Sequence, residues 1–288
     1  MAEVTTAMVV KLRKMSGQGM MDCKKALEES GGNLDEAMSV LRKKGLATLA
    51  KRAERETTQG LVAGNASDDG KTAVLASLCC ETDFVANSED FGAAAGKLME
   101  YAMECSADEG VNNLLETVIG GKKFKDVITE LVSKTGEKTE VGDYAKFRLS
   151  GPGVICTYIH FNRKVATMLQ IDTGDDKTAC SEHIKRTGND IAMHITATKP
   201  LALDKSGIDA QMIEREKAIY AEQVKSKPAN IVDKIVEGKL KKFYEENCLL
   251  EQKFVKDDTK TVAQVLEDAA KQADGKAAIK RFVRFDVG

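Results

Sequence analysis

Apolar residues recur at helical spacing in the first 50 residues of the chain. Asn33 is a suitable N-cap, and glycines at 19, 31 and 32 bound a middle helix. The pattern predicts three short helices, followed by a charged helical linker, over residues 1–55. The stripe before Gly17 holds Met8, Leu12 and Met15, and the stripe before Gly45 holds Leu34, Ala37, Met38 and Leu41.

Residues 60–80 contain two runs of β-forming residues around a polar turn at 65–70, which predicts a hairpin. Helical periodicity returns after Ser88, which is a suitable N-cap. Three apolar stripes then predict three helices: Phe91, Ala94, Ala95, Leu98 and Ala102; Val111, Leu114, Leu115 and Val118; and Phe124, Val127, Ile128 and Leu131.

A second hairpin is predicted after Gly142, with arms at 146–160 and 164–173. A helical stretch follows from Ala179 and stops before Pro200. Because a hairpin followed by helices occurs twice, the sequence predicts an α+β fold with two related subdomains, at 56–140 and 141–288.

The second predicted subdomain contains a long charged stretch of helical periodicity from Asp209 to Tyr244, interrupted at 226–228. We interpret this stretch as an antiparallel helical hairpin inserted at about 206–247, with Pro228 in the first turn of the return helix. Beyond the hairpin, Thr261 and Gln264 form a capping-box pattern, and residues 279–287 predict a closing strand.

Composition narrows the class of protein. The chain has 288 residues, of which 42% are hydrophobic and 31% charged, which is typical of a globular protein with a sizeable core. The net charge of -2 gives no basic excess, so we expect no nucleic-acid partner. The longest apolar run, at 73–80, is too short to cross a bilayer, and the first 15 residues lack the apolar stretch of a secretory signal. A cytoplasmic location without membrane association is expected.

The motifs of common enzyme classes are not found in the sequence, which has three histidines and seven scattered cysteines. We therefore expect neither a metal site nor a cofactor. The vicinal pair Cys79-Cys80 leaves a thiol oxidoreductase as one alternative, although Glu81 and Asp83 nearby favour the protonated thiol.

An acidic residue and a large aromatic, Asp83 and Phe84, stand side by side just after the predicted strand that ends near Cys80. One interpretation is that Phe84 belongs to the core and Asp83 caps a turn. The other is that the pair is exposed and contacts a partner protein, with the aromatic as the energetic centre of the interface. The residue pattern alone leaves both interpretations open.

Four segments in sequence order resemble the bacterial translation elongation factor Ts family, and the similarity extends from about residue 3 to residue 287. The resemblance implies a guanine-nucleotide exchange factor for elongation factor Tu, which is not an enzyme in the bond-making sense. The four segments are SGQGMMDCKKALEESGGNLDEAM at 16–38, TDFVA at 82–86, NDIAMHITATKP at 189–200 and KIVEGKLKKFYEENCLLEQKFVKDDTKTV at 234–262.

The resemblance also implies roles for individual residues. In this family the segment after the strand disturbs the Mg²⁺ and nucleotide site of Tu, and the N-terminal helices, which resemble a ubiquitin-associated domain, dock on Tu. The exchange residues would be Thr82, Asp83, Phe84 and Val85, and the docking residues Arg13, Met20, Met21 and His160. The helical hairpin would be a dimerisation or coiled-coil element, and the assembly with Tu would be 1:1 or 2:2.

The chain departs from the family pattern at three sites: Asn87, the pair Phe161-Asn162 in place of a glycine-rich turn, and Lys253. A further alternative function is a stand-alone interaction adaptor, in which the three-helix unit binds a helical or ubiquitin-like ligand. Such an adaptor would leave GDP release from Tu unchanged.

Overall fold

Three helices form the N-terminal unit of the chain in a computed structural model that describes residues 4–225 and 228–288. They are α1 (Thr6–Ser16), α2 (Met20–Glu29) and α3 (Leu34–Lys51). As predicted, Asn33 caps α3, because its side-chain oxygen accepts hydrogen bonds from the backbone N–H groups of Asp35 and Glu36 at 2.9 and 3.2 Å. The core of this unit is small and consists of Val9, Leu12, Cys23, Ala26, Leu27, Ala37 and Leu41.

The next unit contains a three-stranded antiparallel sheet covered by helices. Its elements, in chain order, are β1 (Gln59–Ala66), β2 (Thr72–Cys80), α4 (Asp83–Ala86), α5 (Glu89–Glu104), α6 (Val111–Glu116), β3 (Val118–Ile119), β4 (Lys122–Lys123), α7 (Phe124–Thr135) and β5 (Thr139–Arg148). The strand order is β1-β2-β5.

A second unit repeats this arrangement and carries an insertion. Its elements are β6 (Gly153–Ile159), β7 (Val165–Thr173), α8 (Asp176–Cys180), α9 (Glu182–Thr198), a 3-10 turn at Lys205–Gly207, α10 (Ala210–Gln223), α11 (Ala229–Asn247), β8 (Lys253–Phe254), β9 (Asp257–Thr261), α12 (Val262–Gln272) and β10 (Ala277–Asp286). The strand order is β10-β7-β6. The topology is the same as in the first sheet, because the last strand of each unit pairs with the second strand of the hairpin: β5 with β2, and β10 with β7.

The two units share a common order of elements. In each, a strand hairpin is followed by a short helix, a long helix, a short strand pairing, one more helix and the closing strand. Among the residues that the structure describes, helix α6 occurs only in the first unit, and the 3-10 turn, α10 and α11 occur only in the second. The boundary predicted at residue 140 falls inside β5, and β5 pairs with β2 from Thr72–Arg148 to Cys80–Thr139. The first sheet therefore continues to Arg148, and residues 146–148, predicted as part of the second hairpin, belong to it.

The helical hairpin is formed by α10 and α11, which lie antiparallel. The ammonium group of Lys239 stands 5.3 Å from the centre of the Tyr220 ring. The residues predicted to turn the chain, Ser226 and Lys227, lie outside the described residues. At its base the hairpin leaves and rejoins the fold at one point, because Leu201 N donates to Asn247 O and Leu249 N donates to Ala202 O, both at 2.9 Å.

The two sheets pack face to face through a shared apolar layer. Strand β2 lies at the centre of the first sheet and is buried on both faces, which explains why its sequence shows a continuous apolar run rather than alternation. The layer contains Val62, Ala73, Leu75, Cys79, Ala145 and Phe147 from the first sheet with Ala166, Met168 and Val287 from the second. This packing fixes the two units relative to each other.

Helix α3 passes through Gly45 and continues to Lys51, so the third predicted helix and the start of the predicted helical linker form one continuous helix. The glycine is there for a packing reason. A Cβ atom at Gly45 would lie 2.5 Å from the backbone oxygen of Thr129 in α7, so only glycine allows this close approach. The hydroxyl of Ser133 donates to Leu41 O at 3.1 Å in the same contact, which joins the three-helix unit to the first α+β unit.

One further expectation is corrected, and one predicted apolar stripe is buried only in part. Val118 does not lie on a helix, because α6 ends at Glu116 and Val118 begins a short strand with 54% of its side chain exposed. Met15 shares the predicted apolar stripe with Leu12, but Leu12 is fully buried whereas Met15 is 53% exposed. Among residues 4–225 and 228–288, no helix has the length and apolar character required to cross a membrane.

Candidate partner-binding site

The short helix α4 is fixed at its start by one carboxylate. Thr82 is the N-cap, with an extended backbone, and Glu137, in the loop after α7, accepts from its backbone N–H at 3.1 Å and from its hydroxyl at 2.9 Å. The hydroxyl oxygen of Thr82 in turn accepts from the N–H of Val85 at 3.4 Å. The position of α4 is therefore set by a residue 55 positions away in sequence.

The rest of α4 is fixed by burial and by the next helix. Val85 is 9% exposed and packs in the core of the first unit. Ser88 caps α5, as predicted, by accepting from the N–H of Phe91 at 3.2 Å, and its own backbone N–H donates to Val85 O at 3.0 Å. The short helix thus leads into a 16-residue helix without a free loop.

Phe84 is 85% exposed, and Asp83 beside it is also exposed. The interpretation of Phe84 as a core residue is therefore wrong. With Thr82 and Val85 holding the helix, the exposed pair occupies a defined position rather than a mobile loop. A rigid aromatic that is already exposed in the free protein loses little entropy when it enters a partner pocket.

An ion pair between Arg52 and Glu81 connects the three-helix unit to the residues that lead into α4. Arg52, the C-cap of α3, donates from one guanidinium nitrogen to both carboxylate oxygens of Glu81, at 2.9 and 2.7 Å. The N–H of Lys138 donates to the same carboxylate at 2.6 Å. Burial alone would raise the pKa of Glu81, but the hydrogen bonds from Lys138 and Arg52 lower it below its usual value. The charged pair holds the residue just before Thr82.

His160 lies at the end of β6, in the turn that leads to β7, and is half-buried. Its ring centre is 4.3 Å from that of Phe161, and its Nδ1 is 3.3 Å from the hydroxyl of Tyr158. The turn is joined to the first sheet, because Arg163 O accepts from Val62 N at 2.7 Å. Its position is therefore defined with respect to β1.

A groove of about 320 Å³ separates α4 from this turn. Asp83 and Asn87 lie on one side, and Asn162 and Arg163 lie on the other. The structure thus places the segment 82–85 and the turn after His160 along one surface of the molecule. We call this surface the groove face, defined by α4, the turn 160–164 and the start of β1 at 59–61.

The other predicted docking residues lie elsewhere, on the three-helix unit. Arg13 is exposed on α1, while Met20 and Met21 begin α2 and are 37% and 63% exposed. They do not line the groove. Met15 and the two methionines form an exposed apolar set near the corner between α1 and α2, and flexible thioethers of this kind adapt readily to a partner surface.

The cysteine pair is unsuited to redox chemistry. Burial raises the pKa of the Cys80 thiol to about 11, and the carboxylate of Glu137 acts in the same direction. Burial also raises the pKa of the Cys79 thiol. Because the thiolate is the reactive form, these surroundings argue against a thiol oxidoreductase. Across the two described stretches, 4–225 and 228–288, no three His, Cys, Asp or Glu side chains converge as a metal site.

The internal repeat shows which features of α4 the fold requires. In the second unit α8 takes the place of α4, and Asp175 caps it by accepting from the N–H of Thr178 at 2.7 Å. Thr178 is buried, as is Val85 at the same position after the cap. The position equivalent to Phe84 holds Lys177, whose side chain is 75% exposed. The fold therefore requires a cap and a buried third residue, but no aromatic at the exposed position.

Sequence reasoning did not identify three residues that build or flank this surface: Glu137, Arg52 and Phe161. Glu137 follows Gly136, which ends α7 in the left-handed conformation, and nothing in the local pattern indicates its contact with Thr82. The sequence distinguishes Phe161 only as a departure from a family pattern, yet this residue is 89% exposed. An aromatic at a turn position that usually holds a small polar residue is the signal that could have identified it.

Comparison with known proteins identifies the family. A family model described as Elongation factor TS matches residues 81–288, more than half of the chain. Elongation factor Ts of a Nitratiruptor species is 42% identical over 287 residues, which cover 99% of this chain and 93% of the relative. Elongation factor Ts of Chlorobium phaeobacteroides is 37% identical over 293 residues, with 100% of each chain covered. The relative from Clostridium perfringens, also named Elongation factor Ts, is 38% identical over 287 residues, with 99% and 93% covered.

An aromatic and a carboxylate held side by side on a fixed, exposed helix are features of a protein that acts by contacting another macromolecule. These features agree with the matches, which cover 93% or more of each relative and define the class of protein. The chain belongs to the elongation factor Ts family and is an elongation factor of protein biosynthesis.

Proposed function

We propose that this protein is a guanine-nucleotide exchange factor that binds elongation factor Tu in its GDP-bound or nucleotide-free form and promotes GDP release. The observation that carries the proposal is the 85% exposure of Phe84 on a helix fixed by Glu137 and Val85. The internal repeat supports it, since Lys177 at the equivalent position shows that an aromatic there is not a requirement of the fold.

A small contact surface can supply the free energy that accelerated GDP release requires. A thousandfold acceleration of GDP release requires the barrier to fall by about 4 kcal/mol, at about 1.36 kcal/mol per tenfold change in rate. A single buried aromatic at an interface contributes about 2–4 kcal/mol. Because coupling between two ligands is reciprocal, the factor weakens GDP binding to the same extent as GDP weakens binding of the factor.

In the proposed mechanism Phe84 enters the GTPase domain of Tu and Asp83 acts near the Mg²⁺ ion that Tu holds with its nucleotide. Mg²⁺ keeps several water ligands, and a nearby carboxylate competes for the hydrogen bonds of those waters. Thr82 and Val85 hold the two acting residues in place. The reaction forms and breaks no covalent bond, so the protein acts by binding rather than as an enzyme.

We assign docking on Tu to residues outside α4, on the three-helix unit and at His160. Arg13, Met20 and Met21 of the three-helix unit contact the GTPase domain in this proposal, and His160 contacts another domain of Tu. The domain division that we propose is the three-helix unit with its linker, the first α+β unit that carries α4, and the second unit that carries the helical hairpin. The stoichiometry of the complex is 1:1 or 2:2, depending on whether the hairpin pairs with a second copy.

The direct experiment measures release of a fluorescent GDP analogue from Tu with and without the protein. The proposal predicts that release accelerates in proportion to the concentration of the factor until it saturates. An adaptor that used only its three-helix unit would bind without changing the rate. An unchanged rate with the correctly folded full chain would therefore contradict the proposed function.

The role of Asp83 can be separated from that of Phe84 by varying Mg²⁺. Asp83→Asn keeps the size of the side chain and removes its charge. If Asp83 acts on the waters of the ion, the defect of Asp83→Asn in GDP release shrinks when Mg²⁺ is chelated, whereas the defect of Phe84→Ala persists. Asp90→Asn, a change at an exposed carboxylate in the first turn of α5, serves as the control. Equal defects of Asp83→Asn with and without Mg²⁺ would remove the ion from the mechanism.

A further inference from the structure

The turn that carries Phe161 has an equivalent in the first unit with the same hydrogen bonds. In the turn between β6 and β7, His160 N donates to Val165 O at 3.0 Å and Arg163 N donates to His160 O at 2.8 Å. In the turn between β1 and β2, Ser67 N donates to Thr72 O and Gly70 N donates to Ser67 O, both at 2.9 Å. The backbone paths of the two turns therefore match residue by residue.

The match extends to side chains and backbone angles. Lys164 N donates to the side-chain oxygen of Asn162 at 2.9 Å, and Lys71 N donates to the side-chain oxygen of Asp69 at the same distance. Arg163 and Gly70 are both left-handed, with φ of 56° and 67°. The residue equivalent to Phe161 is Asp68.

This equivalence shows that the turn does not require an aromatic residue. Asp68 is exposed and makes the same turn with a small polar side chain, which is the usual choice at such a position. Phe161 is 89% exposed, so the fold gains little apolar burial from its ring. The aromatic at position 161 has to be explained by something other than the stability of the turn.

Phe161 belongs to the groove face, because it lies in the turn 160–164. Among the described residues, Phe84 and Phe161 are the two most exposed large apolar side chains, and their neighbours Asp83 and Asn162 line the same groove. The turn is held against β1 by Val62 N donating to Arg163 O at 2.7 Å and by the Lys164 ammonium donating to Gln59 at 2.8 Å. Phe84 and Phe161 therefore belong to two different units, but these contacts fix their positions relative to each other.

We propose that Phe161 is a second aromatic contact for elongation factor Tu, which packs against the partner on the other side of the groove from Phe84. The proposal rests on the exchange function proposed above. The continuity of the two aromatics along one face points to a single partner that covers both. Phe161 contributes to affinity for Tu, while Phe84 acts on the nucleotide site, so their substitutions have different kinetic consequences.

The test measures GDP release from Tu at increasing concentrations of the protein, giving a maximal rate and a half-saturating concentration. Phe161→Asp introduces the residue that the first unit uses in the same turn, and Phe161→Ala removes the ring without adding charge. Both variants are expected to raise the half-saturating concentration about tenfold, which corresponds to about 1.4 kcal/mol, with the maximal rate retained. Phe161→Tyr keeps the ring and is expected to resemble the wild type.

Val118→Ala is the matched control, because Val118 is an exposed apolar residue that lies beside Asn65, toward the far end of β1 from the groove. It should leave both constants unchanged. If the wild type accelerates release but Phe161→Asp and Phe161→Ala have wild-type half-saturation, the contact at Phe161 is excluded and the exchange function stands. If the wild type does not accelerate release, both proposals fail.

Discussion

Glu137 is the residue on which the position of α4 depends most directly, because its carboxylate accepts both hydrogen bonds from Thr82. Glu137→Ala leaves the partly buried N–H of Thr82 without this acceptor, at an expected cost of about 1–3 kcal/mol in folding free energy. Since α4 then starts without a fixed cap, we expect GDP release to slow about tenfold while the far-UV circular dichroism stays native. Stopped-flow release and hydrogen exchange of the Val85 amide measure the two effects.

Glu140→Ala is the matched control for this change. Glu140 lies three residues further along, in β5, and accepts a hydrogen bond from Thr57 rather than from a residue of α4. Its removal should leave GDP release unchanged. Equal rates for Glu137→Ala and the wild type would show that the cap at Thr82 does not position Phe84.

His194 is fully buried, and its hydrogen bonds show which ring nitrogen carries the proton. Val255 N donates to Nδ1 at 3.2 Å, so Nδ1 is the acceptor, and Nε2 carries the proton toward the side-chain oxygen of Gln252 at 2.9 Å. Burial lowers the pKa of His194, and the hydrogen bond with Gln252 opposes this only in part. The native fold therefore holds this side chain as neutral imidazole.

This arrangement predicts a dependence of stability on pH. The unfolded chain binds a proton at His194 at a higher pH than the native state does, because the native pKa is lowered. This contribution to stability is therefore complete above a pH of about 6.5 and decreases as the pH falls below it. The decrease is at most about 1.4 kcal/mol per pH unit. Urea unfolding at pH 7.5 and pH 5.5 should show a smaller loss for His194→Gln than for the wild type. His183→Gln, on the exposed side of the same helix, should behave as the wild type; a loss of equal size in all three proteins would contradict the assignment.

The contact between α3 and α7 is the element-scale feature that joins the three-helix unit to the rest of the molecule. Gly45→Ala places a methyl group 2.5 Å from Thr129 O, so the two helices must move apart. Although alanine favours a helix by about 1 kcal/mol over glycine, we expect a net destabilisation of about 1–3 kcal/mol. Gly96→Ala in α5 is the control, because no atom lies within 4 Å of its added Cβ, and it should stabilise the protein. Thermal unfolding of both variants decides the matter, and stabilisation by Gly45→Ala would contradict the close approach.

The helical hairpin is expected to be dispensable for folding and for exchange. Helix α10 has no buried residue, and the chain leaves and rejoins the fold where Ala202 meets Cys248. Replacing residues 209–246 by a short glycine linker should therefore give a folded protein that still accelerates GDP release. Circular dichroism, thermal unfolding and the release assay test this. Loss of cooperative unfolding in the shortened chain would show that the hairpin supports the second unit.

At the scale of the whole molecule, one fold occurs twice and only the first copy carries an aromatic on its short helix. Lys177 in α8 and Phe84 in α4 occupy equivalent exposed positions, and Asp68 and Phe161 do so in the two turns. The repeat thus separates residues that the fold needs from residues that it leaves free. The aromatics on the groove face belong to the second kind.

The sequence predicts most helices and strands because their periodicity and caps are local, as at Asn33, Ser88 and Thr261, where each cap is confirmed. The predicted boundary between the two units is misplaced because β5 is defined by its pairing with β2, which is more than 50 residues away in sequence. Local patterns contain no information on such a pairing.

The same limit applies to the candidate site. Phe84 and Phe91 are seven residues apart, yet Phe84 is 85% exposed and Phe91 is fully buried. The burial of Phe91 follows from its place on the predicted apolar stripe of α5. The exposure of Phe84 follows from the position of α4, which the contact between Thr82 and Glu137 fixes and no local spacing predicts. The resemblance to a family predicts a role for the segment 82–85, and the structure shows that Phe84 is exposed and that Glu137 holds the start of its helix.

The most direct test of the account is GDP release from elongation factor Tu by the wild type and by Phe84→Lys, which introduces the residue that the second unit carries at the equivalent position. Because position 84 is exposed, this variant should unfold within about 0.5 kcal/mol of the wild type. The account predicts that its maximal rate of GDP release falls about thirtyfold or more, which corresponds to at least about 2 kcal/mol of interface energy. A wild-type rate in this equally stable variant would contradict the claim that Phe84 drives nucleotide release.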